Sequence, residues 1–554
     1  SKLTLYETRA RFFMVGSTHD EDSFRILKIE RALDPTDASL CVFDDGIVYT
    51  RQEMMDLLAM IESGNKATGG LRRVASCFGI IGFVRFLEGY YIIVVTKRSA
   101  VALIGGHYVY HIDDTLIIGV SDAPFRADKR STADEARYVQ SFCQVDLSKN
   151  FYFSYTYDIT NSLQANMTRS KGYNDMFTWN HFLLSNGFGA THVHPHNAWC
   201  LPVIYGFVDQ AKIPVFGHDV YLALIARRSR FFAGARFLKR GVNDNGYVAN
   251  EVETEQIVYD ANTTLFELPH NSIQTGNIPA FTSFLQHRGS IPLFWSQDNS
   301  QLTPKPPIEL NVSDPYYTAT SLHFSDLMDR YGSPILVLNL IKAQEKAPRE
   351  SVLLPEFAAA VEYLNSHLPA GIEKMRYIEW DMARASKSED VGEVVHTLER
   401  IAEEGIAVTG FFHAGREPYL NAVRRAEGYR TLGRLQTGIL RTNCIDCLDR
   451  TNAAQFMVGK SALGHQLYAL GVLAHPCVPF DSDASNLLNA MYQDHGDTIA
   501  LQYGGSHLVN TMETYRKMGR WTSHSRDMIE NIRRFYSNSF TDAEKQDAIN
   551  LFLG

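Results

Sequence analysis

Hydrophobic positions fall into three regimes along the chain. In the first third they alternate or run in short apolar stretches. Arg11–Gly16, Arg25–Ile29 and Cys41–Phe43 predict strands. Asp44, Asp45 and Gly46 give a hairpin turn signal between Cys41–Phe43 and Ile47–Thr50. Arg51–Ser63 carries Met54, Leu57 and Ile61 on one face of a short amphipathic helix. Strands follow at Gly79–Phe86, Tyr90–Thr96, Val101–Ile104 and Tyr108–Ile112. Polar and turn residues between Asn150 and Thr178 mark a boundary, which makes residues 1–160 a β-rich amino-terminal domain.

In the second regime, strand and helix patterns alternate. Tyr221–Ala226 reads as a buried strand, with a short helical segment as the alternative. Pro334–Ile341 is nearly all apolar after its proline, as a buried parallel strand would be. Glu350–Leu368 is helical, Tyr377–Asp381 is strand-like, and Val391–Glu404 is a helix with Val394, Val395, Leu398 and Ile401 on one side. Ile406–Phe412 and Gln436–Arg441 read as strands, and Thr451–Leu470 reads as a helix. The alternation predicts an α/β domain over 161–505, within a chain that is α+β overall. In the third regime, 506–554, the pattern is helical, with Met528, Ile532 and Phe535 on a face.

With 554 residues the chain has room for two or three domains. Its net charge of −9 argues against general nucleic-acid binding, so an anionic ligand must be met by a local basic site. Seven scattered cysteines, an odd number, argue for a reducing compartment, in which the sequon at Asn166 goes unused. No signal peptide opens the chain. Cys77–Thr96, the longest apolar region, is interrupted by Arg85 and Glu88 and reads as paired strands. The abrupt ends suggest an excised fragment.

Two polar clusters invite chemistry. His192, His194 and His196 alternate as metal ligands can, but Pro195 favours a polar loop. Arg227, Arg228, Arg230, Arg236, Lys239 and Arg240 are the densest basic cluster. They make either a solvated face or a contact for inositol phosphates or an anionic membrane, with Arg228, Arg236 and Lys239 as the contact candidates.

The stretch that organises the chain is Leu440 to Asn452, which reads Leu-Arg-Thr-Asn-Cys-Ile-Asp-Cys-Leu-Asp-Arg-Thr-Asn. Cys444 and Arg450 bracket a loop between a strand and a helix. Such a loop collects unpaired N–H groups and the positive end of the helix dipole. A thiolate is stabilised there, and a guanidinium can fork onto two phosphate oxygens. Together they make a phosphoryl-transfer site that needs no metal or cofactor. The competing readings are a buried cysteine beside a surface arginine, or Cys444 and Cys447 as a redox or zinc pair. Zinc lacks the further ligands, since there is no second cysteine pair. Asp446 is the first choice for general acid and base, and Asp449 the second. Either could be structural, and Asp381 is a more distant candidate. Cys447 could pair oxidatively with Cys444 or be a small buried loop residue.

The full string resembles the signature of the Sac-domain phosphoinositide phosphatases. Tyr6 to Thr8, Gly241 to Gln256, Arg288 to Gln297 and Tyr331 with Gly332 resemble family landmarks in family order. The tail from Asp494 to Ser506 is similar to the subgroup acting on phosphatidylinositol 3,5-bisphosphate. The resemblance implies a Sac domain followed by a Cys-x5-Arg catalytic domain. Cys444 would attack phosphorus to form a phosphocysteine, Arg450 would hold the phosphate, Thr451 would hydrogen-bond the sulfur, and Asn443 would brace the loop. Ile445, Cys447 and Leu448 complete the phosphate-binding loop. It further implies cleavage of the 5-phosphate at endosomal and lysosomal or vacuolar membranes, where the protein is peripheral. The expected partners are a phosphatidylinositol 3-phosphate 5-kinase and a helical-repeat scaffold. The rival readings are a mainly structural subunit of that complex with weak or conditional catalysis, and a protein tyrosine phosphatase.

Overall fold

A computed structural model describes residues 2–554 except 19, 21, 32–39, 122–128, 169–171, 195, 196, 262–279, 298–305, 312, 313, 388–391, 416–433, 511 and 513–541. The first five strands are β1 (Lys2–Glu7), β2 (Arg11–Ser17), β3 (Phe24–Glu30), β4 (Val42–Asp44) and β5 (Arg72–Cys77). They form an antiparallel sheet in the order β4-β3-β2-β1-β5. Strand alternation divides its side chains between two cores. Leu5, Phe12 and Met14 pack on Ile80, Phe83 and Ile92 of the next sheet. Phe13, Val15 and Ile26 take Met54 of helix α1 (Arg51–Asn65). A capping box between Thr50 and Glu53 starts that helix.

The hairpin expected after Asp44 does not form. The Asp44 and Asp45 carboxylates accept hydrogen bonds from the Gly46 and Ile47 N–H groups, which turns the chain away from β4. Tyr49 then pairs with Phe24 instead.

Eight strands follow as successive antiparallel neighbours: β6 (Gly79–Arg85), β7 (Tyr90–Ile104), β8 (His107–Gly119), β9 (Phe151–Phe153), β10 (Ile204–Val215), β11 (His218–Arg228), β12 (Val252–Asp260) and β13 (Phe281–Arg288). One sheet therefore carries strands from both sides of residue 160. Helices α2 (Lys129–Phe142) and α4 (His181–Phe188) cover its first strands through Phe142 and Leu183, and α3 (Leu163–Thr168) seals the middle through Leu163. A small pair, β14 (Trp295–Gln297) and β15 (Ile308–Leu310), stands apart.

The sheet then turns parallel. β16 (Ile335–Asn339), β17 (Arg376–Glu379) and β19 (Ile439–Asn443) extend it in the order β13-β19-β16-β17, while β18 (Phe412–His413) pairs antiparallel with β13. β16 is buried at every position, because helices cover both faces. Ile335, Val337 and Ile439 pack under α5 (Thr318–Tyr331) and α6 (Leu353–His367). Leu336, Leu338 and Leu440 pack under α8 (Glu393–Thr409), α9 (Asp449–Ala469) and α10 (Asp483–Gly504). Between β17 and α8 lies one turn of helix, α7 (Met382–Ala385).

The strand expected at Ile406–Phe412 is instead mostly helix. Leu398, Ile401, Ala402, Ile406 and Thr409 are buried at helical spacing, so α8 continues until Gly410 takes a left-handed turn. Only Phe412–His413 is extended. Of the tail, the last helix, Asp542–Leu553, returns to the first strands, where Phe552 packs on Phe142 and Phe151. Met528, Ile532 and Phe535 lie outside the described residues. No described helix is long and apolar enough to cross a membrane.

Candidate active site

The chain leaves β16 outward to β17 and returns over the opposite face to β19, on the other side of β16. The carboxyl ends of β16 and β19 therefore flank a topological switch point, where open α/β sheets form their ligand crevices. The two strands end in register, Asn339 beside Asn443. Gly438 feeds β19 at φ +86°, and a Cβ there would collide with the Pro334 carbonyl oxygen.

Cys444 follows directly and is buried. Asn443 donates to Asn339 Oδ1 at 2.7 Å and accepts from Arg441 at 3.1 Å, which ties the loop's entry to both the neighbouring strand and its own. Cys447 takes the left-handed conformation, φ 52°, which is costly for a non-glycine residue. Its thiol donates to the Gly289 carbonyl at 3.0 Å, and burial pushes it up to about 12. Cys447 is therefore a thiol, not a thiolate, near neutral pH. Ile445 and Leu448 are buried on opposite sides of the sheet. Among the described residues none accepts a hydrogen bond from the N–H groups of Ile445, Asp446, Cys447 or Leu448. Those amides, ahead of the α9 N-terminus, suit an anion.

Arg450 lies in the first turn of α9. Its guanidinium donates to the Leu340 carbonyl at 2.7 Å and to Glu350 Oε2 at 2.9 Å. Burial alone would push the Glu350 carboxyl up, but Arg450, with Lys342 and Arg349, holds it below the usual range. Thr451 is fully buried, and its hydroxyl has no hydrogen-bond partner among the described residues.

The two loop acids are not placed alike. Asp446 is gripped by two arginines: Arg236 Nε at 2.9 Å and Arg240 Nη2 at 2.6 Å, both on Oδ1, with a second Arg236 bond to Oδ2. Burial opposes ionisation, but the two cations outweigh it and hold the carboxyl far below its ordinary value. While both arginines hold it, Asp446 is ionised and has no proton to give. Asp449 Oδ1 accepts from the Val509 and Asn510 N–H groups at 2.6 and 2.9 Å, pinning the segment after α10 to the start of α9. Asp381 caps α7 and accepts from the Ala343 N–H at 2.8 Å, joining the loops after β17 and β16.

The basic cluster is neither a solvated face nor a membrane-contact surface at Arg228. Arg227 and Arg228 close β11 and are buried; Arg227 pairs with Glu253 and Glu255 on β12. Arg228 is held by Gln502, Asn250 and the Ile499 carbonyl. Arg236 points into the loop, and Lys239, half-buried, sits 4.7 Å from the Phe232 ring centre. In the histidine run, His196 lies outside the described residues.

Sequence reading missed the arginines under the loop. Arg288 donates to Gln455 at 2.9 Å, Asn452 at 3.1 Å and the Cys447 carbonyl at 3.4 Å. Arg441 donates to His323 Nε2, Asn443 and the Ser290 carbonyl. Like Arg228, both are buried, and burial pulls each down to about 10, still cationic at neutral pH. Among the described residues none of the three has a carboxylate within ion-pair distance. Arg288 and Arg441 are bonded to the loop and the strand feeding it, and Arg228 reaches it through Asn250, which donates to the Asp446 carbonyl. Three uncompensated cations beneath one loop make it a site built for negative charge. Arg288 was visible only as part of a family landmark.

The family profile of the SacI homology domain matches residues 78–387. The chain belongs to that family. The matched region includes Arg288, Glu350 and the Arg236–Arg240 segment, and it ends before the cysteine loop. Relatives extend across it. A polyphosphoinositide phosphatase of Schizosaccharomyces pombe is 47% identical over 100% of this chain and 64% of its own length. A phosphatidylinositol-3-phosphatase of Arabidopsis thaliana is 41% identical over 100% of this chain and 65% of its own. The phosphoinositide phosphatase SAC4 of Arabidopsis thaliana is 39% identical over 99% of this chain and 69% of its own. The Sac chain here thus spans slightly less than two thirds of the first two relatives.

Proposed function

We propose that the chain is a phosphoinositide phosphatase that removes the 5-phosphate of phosphatidylinositol 3,5-bisphosphate. The observation that carries the reading is Cys444, placed between a strand end and a helix start over three buried cations, with amides around it that have no acceptor among the described residues. The thiolate of Cys444 attacks phosphorus; the bond from phosphorus to the inositol oxygen breaks, and that oxygen takes a proton. Water then attacks the phosphocysteine, loses its proton, and leaves inorganic phosphate and the thiolate. Arg450 serves both steps once it turns from Glu350 to the phosphate oxygens. Asp446 can shuttle the proton only after Arg236 and Arg240 release it.

Those two ion pairs also favour a second reading, in which catalysis is conditional and the chain's main role is structural, within a complex of the opposing lipid kinase and a helical-repeat scaffold. The resemblance carries that partnership, and likewise a peripheral place on endosomal, lysosomal or vacuolar membranes. The 3-phosphatase named among the relatives favours phosphatidylinositol 3-phosphate as an alternative substrate. A panel of phosphoinositides, assayed with Cys444→Ser as control, decides among them. The expected result is phosphate release from the 3,5-bisphosphate, lost in the variant. Release from the 3-phosphate alone moves the position, and no release from any lipid, alone or in the complex, leaves the structural role.

A further inference from the structure

The loops that leave β16 and β17 border an open hollow of about 870 Å³ at the carboxyl edge of the sheet. Strands in register lie about 5 Å apart. The hollow therefore begins one strand from the cysteine loop, on the side away from β13. Five cations line it: Lys342, Lys346 and Arg349 after β16, and Arg384 and Lys387 after β17. Its two carboxylates, Asp381 and Glu345, accept from backbone N–H groups of the same loops, so they hold the walls in shape. Arg384 donates to Gln344, while Lys346 and Lys387 are exposed at the rim. The floor connects to the cysteine loop: Glu350 lies 3.7 Å from Lys342, 3.2 Å from Arg349 and 2.9 Å from Arg450.

From this placement we propose that the hollow is a second anion site, which binds a phosphate monoester other than the one held at Cys444. The five cations exceed Asp381, Glu345 and the underlying Glu350 by two formal charges, which matches the dianion of one phosphate monoester. A ligand with two phosphates on one ring would place one in the cysteine loop and the other here. This deepens the phosphatase reading and rests on it for the identity of the ligand. A bisphosphorylated headgroup is then preferred over a monophosphorylated one by the unreacted phosphate. Free inorganic phosphate would meet the same chemistry.

Calorimetry on the full chain carrying Cys444→Ser tests the site with three probes: inositol 1,3,5-trisphosphate, inositol 1,5-bisphosphate and inorganic phosphate. The trisphosphate is expected to bind about tenfold more tightly than the bisphosphate, and Lys346→Glu with Lys387→Glu should bring that advantage below about twofold. A second equivalent of inorganic phosphate, lost in the same variant and without a trisphosphate advantage, supports the site and assigns it to the free ion. Unchanged binding of all three probes overturns the proposal. So does an equal loss from charge reversal at the remote Lys66 and Lys149, which marks general attraction. Lipid turnover by the unsubstituted chain is measured separately. Its absence, with the binding difference present, removes the phosphatase reading and leaves the hollow standing.

Discussion

Arg450 and Glu350 stand 2.9 Å apart, and this pair fastens the first turn of the helix after the cysteine loop to the loop after β16. The guanidinium proposed to hold a phosphate is thus on a carboxylate. Glu350 is buried and shared with Lys342 and Arg349, so its loss leaves three cations facing one another. Glu350→Gln is expected to lower unfolding stability by about 2–4 kcal/mol. Arg450 is then no longer shared, and inhibition by vanadate should strengthen several-fold. Denaturant titration and a vanadate inhibition curve check the two halves. Weaker vanadate binding in a folded variant would make Glu350 a residue that positions Arg450, not one that competes for it.

Asp446 supports a different claim. It compensates Arg236 and Arg240, and Arg240 is buried. Asp446→Asn is expected to cost about 3–5 kcal/mol near pH 7, because a buried cation loses its partner. Since the folded-state carboxyl titrates well below the unfolded one, its contribution is complete above about pH 4 and is lost as pH falls further. The gap between the two chains should therefore narrow below pH 4, read as denaturation midpoints at stepped pH.

Histidines set the milder end of the pH dependence. Burial pulls His287 down to about 4, against the pull of Glu251, and drives His323 and His495 well below the ordinary range. The unfolded chain takes up these protons near pH 6.5, and the folded chain does not until about pH 4 at His287. Stability is thus complete above about pH 6.5 and falls as pH drops through that window. The slope between pH 6.5 and 5 should be shallower in His287→Gln, as followed by thermal unfolding.

The cysteine loop was legible because its parts are contiguous: Cys444 to Arg450 is seven residues, with a strand before and a helix after. The partners of those residues were not. Glu350 is a hundred positions from Arg450, and Arg236 and Arg240 are more than two hundred from Asp446. The return of β19 to a place between β13 and β16 brings the loop to them. The basic cluster misled for a related reason, since charge in a sequence carries no mark of burial. One signal was present. Arg227 and Glu253 occupy opposing places on strands that pair, with Glu255 two residues on, so the register holds the clue that composition lacks. The strand expected at Ile406 failed because apolar residues over so few positions fit either period.

Arg288 separates function from stability. A buried cation with no carboxylate partner among the described residues gives little to folding, because its desolvation is returned only by amide and carbonyl acceptors. Its charge lies against the carbonyl of Cys447, inside the loop where a phosphate would gather negative charge in the transition state. Arg288→Gln should therefore lower turnover of the phosphoinositide by about 10²-fold, while moving unfolding stability by less than about 2 kcal/mol. Arg288→Lys keeps the charge but loses the fork to Gln455 and Asn452, and should recover part of the rate. Steady-state turnover beside denaturant titration of all three chains checks the claim. A glutamine variant that unfolds easily but, where folded, turns over like the parent would make Arg288 a structural brace and nothing more.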